Sequence, residues 1–229
     1  MKSSTKKILL WFLDLGINVA VIVSLVLIIQ TWFMAPFDIS GMSMCDTFNV
    51  VNGECQTGYG EKIIINEATY IFNEPQRGDV VVFRVPDDNE KYFIKRIIGL
   101  PGETVEVKNG NVYITKSGEK ENFKLEEDYI SPENQNRTLA LISGLSVFEV
   151  PENHYFVLGD NRNSSTDSRS CFLSSINKIC KENPVNAFVS RDLIRGKAWI
   201  VWWPLSNIRI VGAPGYTADQ VVSESLDEK

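Results

Sequence analysis

Residues 15–35 read LGINVAVIVSLVLIIQTWFMA, a run that contains no charged side chain. A membrane-spanning helix needs an apolar stretch of about 20 residues to cross the ~30 Å hydrocarbon core of a bilayer. Trp11 and Trp32 lie near the two ends of the run, where indole rings favour the membrane interface. The run is apolar on all sides rather than along one stripe, which is not typical of a helix packed in a soluble core. We therefore predict that residues 8–35 form a single membrane-spanning helix.

The residues before this run indicate its orientation. Lys2, Lys6 and Lys7 precede it, and no acidic residue occurs among the first seven positions. The positive-inside rule then places residues 1–7 in the cytoplasm and the rest of the chain outside the cytoplasmic membrane. The alternative is a cleavable secretory signal, but the run is long for one and no Ala-x-Ala site follows it. Asn18 is a polar residue that the anchor interpretation leaves unexplained.

After Pro36 the pattern changes from helical to strand-like, because short runs of β-branched and aromatic residues recur between turn residues. The predicted strands lie in residues 80–83, 91–100, 139–150, 154–161 and 197–205. Residues 105–114 (VEVKNGNVYI) predict a hairpin, since Asn109 and Gly110 supply a turn with positive φ between alternating flanks.

These patterns predict an all-β fold. We expect residues 36–213 to form antiparallel sheets outside the membrane, on the single N-terminal transmembrane helix. Residues 105–150 would be a small inserted β sub-domain, in which the polar segment 116–133 is rich in loops. Residues 214–229 are polar and are predicted to be a flexible tail.

Composition excludes several functional classes. The 229 residues carry a formal net charge of −6 without a long basic run, so nucleic acid is not expected as a partner. His154 is the single histidine and no Cys-x-x-Cys motif is present, so we expect no metal site.

The four cysteines fall into two local pairs. Cys45–Cys55 and Cys171–Cys180 are the favoured disulfides, and both would fit an oxidising compartment. Four reduced thiols remain the alternative, because sequence alone does not fix connectivity.

Two residues are candidates for chemistry in the strand-rich part. Lys95 lies among apolar residues of a predicted strand, and burial of an ammonium lowers its pKa until the neutral amine can act as a general base. A lysine with its head in water is the alternative. Arg96 would point to the other face of the strand, as a surface or ion-pair residue. Ser43 follows Gly41 in a tight turn, where a substrate backbone can approach closely and backbone N–H groups can stabilise an oxyanion.

A polar loop, LGDNRNSSTDSR at residues 158–169, carries closely spaced opposite charges. Its acidic and basic side chains can pair with one another and need have no other role. Ser165 in the same loop could orient a neutral lysine by a hydrogen bond.

The order of four segments behind an N-terminal anchor resembles that of bacterial type I signal peptidases, which are membrane serine proteases with a Ser-Lys dyad. The resemblance extends from the anchor to about Val211, and its most specific parts are GDNR with S-x-D-S-R and KRIIGLPGE. The four segments are FDISGMSM (37–44), RGDVVVF (77–83), KYFIKRIIGLPGE (91–103) and LGDNRNSSTDSR (158–169).

The resemblance implies a role for each matching residue. Ser43 would be the nucleophile, Lys95 its general base and Ser165 the serine that hydrogen-bonds the lysine. The charged residues that shape the site would be Asp160, Asp167 and Arg169. The residues that bind substrate would be Phe37, Ile39, Gly41, Met44, Phe93 and Ile94. The implied reaction removes signal peptides from secreted preproteins after small-x-small (Ala-x-Ala) sites through an acyl-enzyme, without a cofactor. The implied partners are these signal peptides and the lipid bilayer.

The chain departs from the family pattern at Asp46, where most members have proline, and residues 45–59 and 171–186 are longer than usual. Three other interpretations stay open: a self-cleaving regulator, an inactive domain that binds exported peptides, and a thiol protease that uses Cys45 and His154. Trp202 and Trp203 would either hold the domain at the membrane surface or pack in its core.

Overall fold

The computed structural model describes residues 2–51, 54–86, 88–172 and 183–216. Helix α1 spans Lys2–Trp32. Its segment Lys6–Leu27 has a mean hydropathy of 2.3, is not buried inside the described structure, and is long enough to cross a membrane. The Asn18 side-chain amide donates to the Asp14 carbonyl oxygen at 2.8 Å. The polar group that the sequence left unexplained is therefore hydrogen-bonded within the helix itself.

The strands that the structure describes follow this helix. In chain order they are β1 Met34–Ser40, β2 Val50–Val51, β3 Glu54–Cys55, β4 Tyr59–Asn66, β5 Val80–Val85, β6 Asp88–Gly99, β7 Thr104–Lys108, β8 Asn111–Thr115, β9 Asn122–Lys124, β10 Val147–Glu149, β11 His154–Leu158, β12 Val189–Ser190, β13 Ile194–Trp203 and β14 Arg209–Ile210. A short helix, α2 (Thr69–Phe72), follows β4.

Most of these strands form one antiparallel sheet. In the described residues it has eight strands, in the order β1-β4-β13-β5-β6-β11-β12, with β14 also paired to β13. Strand β5 is buried at five of its six positions because it lies inside this sheet. Its run VVVF is therefore continuous rather than alternating. The prediction of an all-β, antiparallel fold behind one N-terminal apolar helix is confirmed.

A second sheet has the order β10-β7-β8-β9, and its strands come from residues 104–149. The β7–β8 turn has φ values of 51° at Asn109 and 80° at Gly110. A Cβ at Gly110 would also lie 1.9 Å from the Asn136 carbonyl oxygen, so glycine is required here by conformation and by space. The proposal that residues 105–150 are an inserted sub-domain stays a prediction, as do the other domain boundaries.

The strand predictions differ from the structure at their ends. The strand expected over residues 154–161 ends at Leu158, because the chain then turns into the polar loop. Within residues 139–150, only Val147–Glu149 pairs as a named strand. Of the predicted tail, Tyr216 packs beside Tyr129, with 3.4 Å between the hydroxyl oxygens. Residues 217–229 lie outside the described residues.

The disulfide state of the cysteines decides whether a thiol mechanism is available. A disulfide joins Cys45 to Cys55. Cys171 is also disulfide-bonded, whereas Cys180, its expected partner, lies outside the described residues. Because the Cys45 sulfur is bonded to another sulfur, it has no thiolate to attack a substrate, and the interpretation as a thiol protease with His154 is wrong.

Candidate active site

Three segments of the large sheet meet at one place. β1 is an outermost strand of the sheet and leads into the turn that carries Ser43, β6 carries Lys95, and β11 leads into the polar loop 158–169. The Lys95 Nζ atom lies 2.7 Å from Ser43 Oγ, although the two residues are 52 positions apart. Nζ also donates to the Ile94 carbonyl oxygen at 2.8 Å. An amine at this distance can take the proton of the hydroxyl.

Lys95 is 3% exposed, which excludes the alternative of a lysine with its head in water. Burial lowers the pKa of Lys95 from 10.5 to about 8, against the charges of Asp167 and Asp160, which raise it. The pKa shift thus has the direction expected from the apolar strand. A substantial fraction of the amine is therefore neutral at mildly alkaline pH.

The turn that carries Ser43 is fixed by its backbone. Gly41 has a φ of 86°, a conformation that glycine adopts most readily. The Ser43 carbonyl oxygen accepts a hydrogen bond from the Asn161 N–H at 3.1 Å. A Cβ at Gly159 would lie 2.4 Å from that carbonyl oxygen and 2.1 Å from Ser165 Oγ. Glycine at position 159 therefore allows the polar loop to lie directly against the Ser43 turn.

A buried ion pair underlies the site. Arg96 donates to the two oxygens of Asp160 at 2.9 and 2.6 Å, and both residues are at most 1% exposed. Arg96 also donates to Thr47 Oγ1 at 3.1 Å, and the Thr47 hydroxyl in turn donates to Asp160. The guanidinium lies 4.1 Å from the centre of the Tyr129 ring. Of the two alternatives for Arg96, a surface residue or an ion-pair residue, the structure shows the ion pair. Arg96 thereby connects β6 to Thr47 of the Ser43 turn and to Asp160 of the polar loop.

A second buried pair holds the polar loop. Arg169 donates to both oxygens of Asp167 at 2.9 and 2.8 Å, and the Gly159 N–H donates to the same carboxylate at 3.1 Å. Burial by itself raises the pKa of Asp167, but the Arg169 guanidinium beside it outweighs this and holds that pKa below its usual value. Asp167 is therefore a fixed negative charge near Lys95.

Ser165 does not make the hydrogen bond to lysine that the resemblance implied. Its Oγ is buried without a hydrogen-bond partner among the described residues, and Lys95 Nζ contacts Ser43 Oγ and the Ile94 carbonyl oxygen instead. The hydroxyl lies near enough to Asp167 to help lower the pKa of that carboxylate, but outside hydrogen-bond geometry. Ser165 thus lies beside the Ser43–Lys95 pair rather than in contact with the amine.

The buried pair of Arg96 and Asp160 gives a stability prediction. Asp160→Asn leaves the guanidinium buried without a counter-charge, so we expect the free energy of unfolding to fall by ~3–5 kcal/mol. Urea unfolding of the full chain in detergent measures this change. The matched control is Asp38→Asn, which breaks a pair with Lys62 whose side chains are 48% and 37% exposed, and it should cost less than about 1 kcal/mol. Equal effects of the two exchanges would contradict the prediction.

A cleft of about 290 Å³ opens in front of Ser43 and Lys95. Five of the six residues expected to bind substrate line it, namely Phe37, Ile39, Gly41, Phe93 and Ile94. Met44 does not line it. That side chain is 2% exposed beneath the turn, and its sulfur accepts a hydrogen bond from the Asp160 N–H at 3.4 Å. The structure therefore does not place the Met44 side chain in the wall of the cleft, and its role in substrate binding stays a prediction.

Sequence reasoning missed part of the cleft wall. Tyr92 also lines the cleft and packs edge-on against Phe37, with 5.3 Å between ring centres. Ser164 and Thr166 line the cleft as well, and they flank Ser165 in the polar loop. Their position next to a predicted site residue was the one available signal. The remaining lining residues are Asp38, Ser40, Met42, Ile63 and Val82.

The strands beside the cleft leave room for an added strand. β11 pairs with β6 at Gly99, Ile97 and Arg96, and the ladder ends there, just before Lys95. Because β1 is an outermost strand, its second edge is not paired in the main sheet. An extended peptide in the cleft could therefore hydrogen-bond to backbone groups of β1 or β6, as in other cases of strand addition.

The family profile and the relatives that match this chain in sequence point to one family. Residues 12–203 match the profile of signal peptidase, peptidase S26. Signal peptidase I S of Bacillus subtilis strain 168 is 31% identical over 212 residues, which cover 90% of this chain and 95% of that protein. Signal peptidase I of Bacillus licheniformis is 30% identical over 212 residues, covering 91% and 96%. A crystal structure of a signal peptidase I from Enterococcus faecalis V583 is 33% identical and covers 55% of this chain and 97% of that chain, with a TM-score of 0.38.

Proposed function

The chain belongs to the signal peptidase family, peptidase S26, and from this premise we propose that Ser43 and Lys95 form the catalytic dyad with which it cuts preproteins after Ala-x-Ala sites. It is a membrane-anchored serine endopeptidase that removes signal peptides. The observation that carries the proposal is the 2.7 Å distance between Lys95 Nζ and Ser43 Oγ, beside a cleft at a sheet edge.

The first step is attack by the serine. Neutral Lys95 takes the proton of the Ser43 hydroxyl as Oγ bonds to the carbonyl carbon of the peptide. The buried amine suits this role because its pKa of about 8 lets it accept a proton near neutral pH and release it again. Backbone N–H groups of the turn, including that of Ser43, stabilise the oxyanion that forms.

The next steps return the proton and release the product. The Lys95 ammonium protonates the leaving amine, so the mature protein departs and the signal peptide stays bonded to Ser43 as an ester. The neutral amine then takes a proton from water as the water oxygen bonds to the ester carbon. The Lys95 ammonium returns this proton to Ser43 Oγ as the ester bond breaks, which frees the signal peptide and regenerates the Ser43 hydroxyl and the neutral amine. Asp167 and Asp160 lie near enough to favour the ammonium whenever Lys95 carries the proton.

Substrate selection follows from the geometry of an extended peptide. Side chains alternate between faces along a strand, so the first and third residues before the cut point to one side and the second to the other. The cleft has a volume of about 290 Å³, and apolar side chains such as Phe37, Ile39 and Ile94 form part of its wall. If the first and third side chains enter it together, only small ones fit beside the peptide backbone.

The test is cleavage of a preprotein with an Ala-x-Ala site in detergent. Leucine at the first or third position before the cut is expected to lower kcat/KM on the order of 100-fold, because a side chain larger than that of alanine does not fit in the cleft beside the peptide backbone. The matched control is leucine at the second position, which should be tolerated. Equal tolerance at all three positions would contradict the proposed specificity. A wild-type protein that binds the peptide without cutting it would point instead to an inactive binding domain.

The membrane placement of the domain is part of the proposal. The lysines before α1 favour an N-terminus in the cytoplasm and a catalytic domain outside the cytoplasmic membrane. Trp202 and Trp203 are 37% and 45% exposed, so the alternative that they pack in the core is wrong. Exposed indole rings favour a bilayer interface and would keep the cleft near the point where the apolar part of a signal peptide leaves the membrane.

A further inference from the structure

Asp46 links the Ser43 turn to a distant part of the chain. Its carboxylate accepts hydrogen bonds from the Ser131 N–H at 2.9 Å and from the Asn134 side-chain amide at 3.1 and 3.0 Å. Ser131 and Asn134 follow Asp46 by 85 and 88 positions. The residue three positions after Ser43 is therefore held by the segment that follows the second sheet's strand β9.

Asn134 carries the link onward to the polar loop 158–169. Its side chain is buried, and its Oδ1 accepts a hydrogen bond from the Asn163 N–H at 3.0 Å. The Asn163 side chain donates to the Glu133 carbonyl oxygen at 3.2 Å. Asn163 directly precedes Ser164, which lines the cleft. Both ends of one buried amide are thus used, the nitrogen toward the Ser43 turn and the oxygen toward the polar loop.

The neighbours of Asp46 make separate connections. Cys45 is bonded to Cys55, and Thr47 contacts Arg96 and Asp160. These contacts hold the turn to the β2–β3 hairpin and to the ion pair beneath the site. The link through Asn134 adds a further connection beside the direct Asn161–Ser43 hydrogen bond, because it joins the turn to Asn163, which precedes the cleft-lining Ser164.

We propose that Asp46 and Asn134 are positioning residues that set the spacing between the Ser43 turn and the wall formed by Ser164 and Thr166. The inference rests on the proposed function, since it concerns the site where the peptide would bind. Asp46 contributes two acceptor oxygens, and Asn134 contributes one donor group and one acceptor group. The link therefore requires a carboxylate at one of the two positions and an amide at the other. Asn134 cannot reverse its amide without turning its NH₂ group toward the Asn163 N–H.

Exchanging the two side chains tests this requirement. Asp46→Asn places an amide nitrogen against the Asn134 nitrogen, and Asn134→Asp places two carboxylates against each other. The double variant D46N/N134D restores the pairing between the two side chains, because the new amide at position 46 would accept from the Ser131 N–H and donate to the new carboxylate at position 134. The hydrogen bond that the Asn134 amide donates to Ser131 Oγ at 3.2 Å would reverse, with the hydroxyl donating to the carboxylate. That carboxylate would still accept from the Asn163 N–H. We expect each single exchange to lower kcat by about 10- to 100-fold through misplacement of the reacting groups, and the double exchange to restore most of it.

The control and the readouts separate positioning from folding. Asp128→Asn with Asn136→Asp makes the same change of composition at exposed positions of the same segment, and it should leave kcat unchanged. The midpoint of the pH profile should stay in all variants, since the burial of Lys95 and the charges of Asp167 and Asp160 that set it are unchanged. Amide hydrogen exchange at residues 160–166 should quicken in each single variant and slow again in the double variant.

The outcomes decide the inference and the proposed function separately. Single variants that cleave like wild type, or a double variant that shows no recovery of kcat and of amide protection, would overturn the link. A wild-type protein that cuts no preprotein would refute the proposed function. The amide hydrogen-exchange rates alone would then decide whether Asp46 and Asn134 connect the Ser43 turn to the polar loop.

Discussion

Replacing Ser43 by alanine is expected to lower the cleavage rate by a factor on the order of 10⁴ to 10⁶. The variant loses the Oγ atom that lies 2.7 Å from Lys95 Nζ, and with it the atom that forms the ester. It retains the cleft and the buried ion pairs, so it should fold and still bind the signal peptide. The measurement is the single-turnover rate of preprotein cleavage in detergent, together with the affinity of the variant for the uncut preprotein.

The control for this variant is another serine-to-alanine exchange far from the cleft. Ser143 is exposed in the segment that leads to β10, and Ser143→Ala should cleave at the wild-type rate. Thiol-blocking reagents should also have no effect, because Cys45 is disulfide-bonded. A Ser43→Ala protein that keeps more than about 1% of the wild-type rate would refute the nucleophile assignment, since removal of a nucleophile lowers the rate far more than 100-fold. Ser164 and Ser165 would then be the serines to test next.

The strands could be predicted because their signals are local. A run such as VVVF depends on side chains that prefer a pleated, buried backbone, and Asn109-Gly110 depends on the backbone freedom of two adjacent residues. Both signals are complete within about ten residues. The anchor was predictable for the same reason, because bilayer thickness fixes its length. Strand ends were less accurate, as at Leu158, because they depend on where the partner strand stops.

The site itself required more than local pattern. Ser43 and Lys95 were singled out by a turn and by an apolar strand, but only the family resemblance paired them across 52 positions. Arg96 is an example of a residue whose burial and pairing partner could not be predicted from its own strand. An arginine is rarely buried unless it is paired, and its partner Asp160 lies 64 positions away. Sequence could offer the ion pair as an alternative without choosing the partner.

Side-chain direction was the least predictable property. Met44 and Ser165 belong to recognisable motifs, yet Met44 points into the core and Ser165 Oγ makes no hydrogen bond among the described residues. Their directions depend on tertiary contacts with Asp160 and with Gly159, which no local rule contains. The partners of Asp46 were hidden for the same reason, since they come from a segment more than 80 residues away.

Replacing Lys95 by methionine or arginine is expected to lower cleavage by a factor on the order of 10³ or more, because neither side chain can take the Ser43 proton. Methionine has no basic atom, and arginine stays protonated at any working pH. Methionine also serves as the folding control. Lowering the pKa of a buried lysine from 10.5 to about 8 costs ~3 kcal/mol of stability at pH below 8, and this cost lessens as pH rises toward 10.5. Lys95→Met removes that cost, so it should unfold no more easily than wild type at pH 7.

The pH profile of the wild-type enzyme tests the same assignment without a mutation. Because the neutral amine is the base, kcat/KM should rise tenfold per pH unit below the pKa and level off above about 8. The groups whose charges act on the amine are Asp167 and Asp160, and both oppose the lowering caused by burial. Removing the charge of Asp167 should therefore move the midpoint to lower pH. A midpoint near 6.5 would indicate a histidine instead, and His154 is the single histidine of the chain. A flat profile between pH 6 and 9 would exclude a lysine with this pKa from the rate-limiting proton transfer.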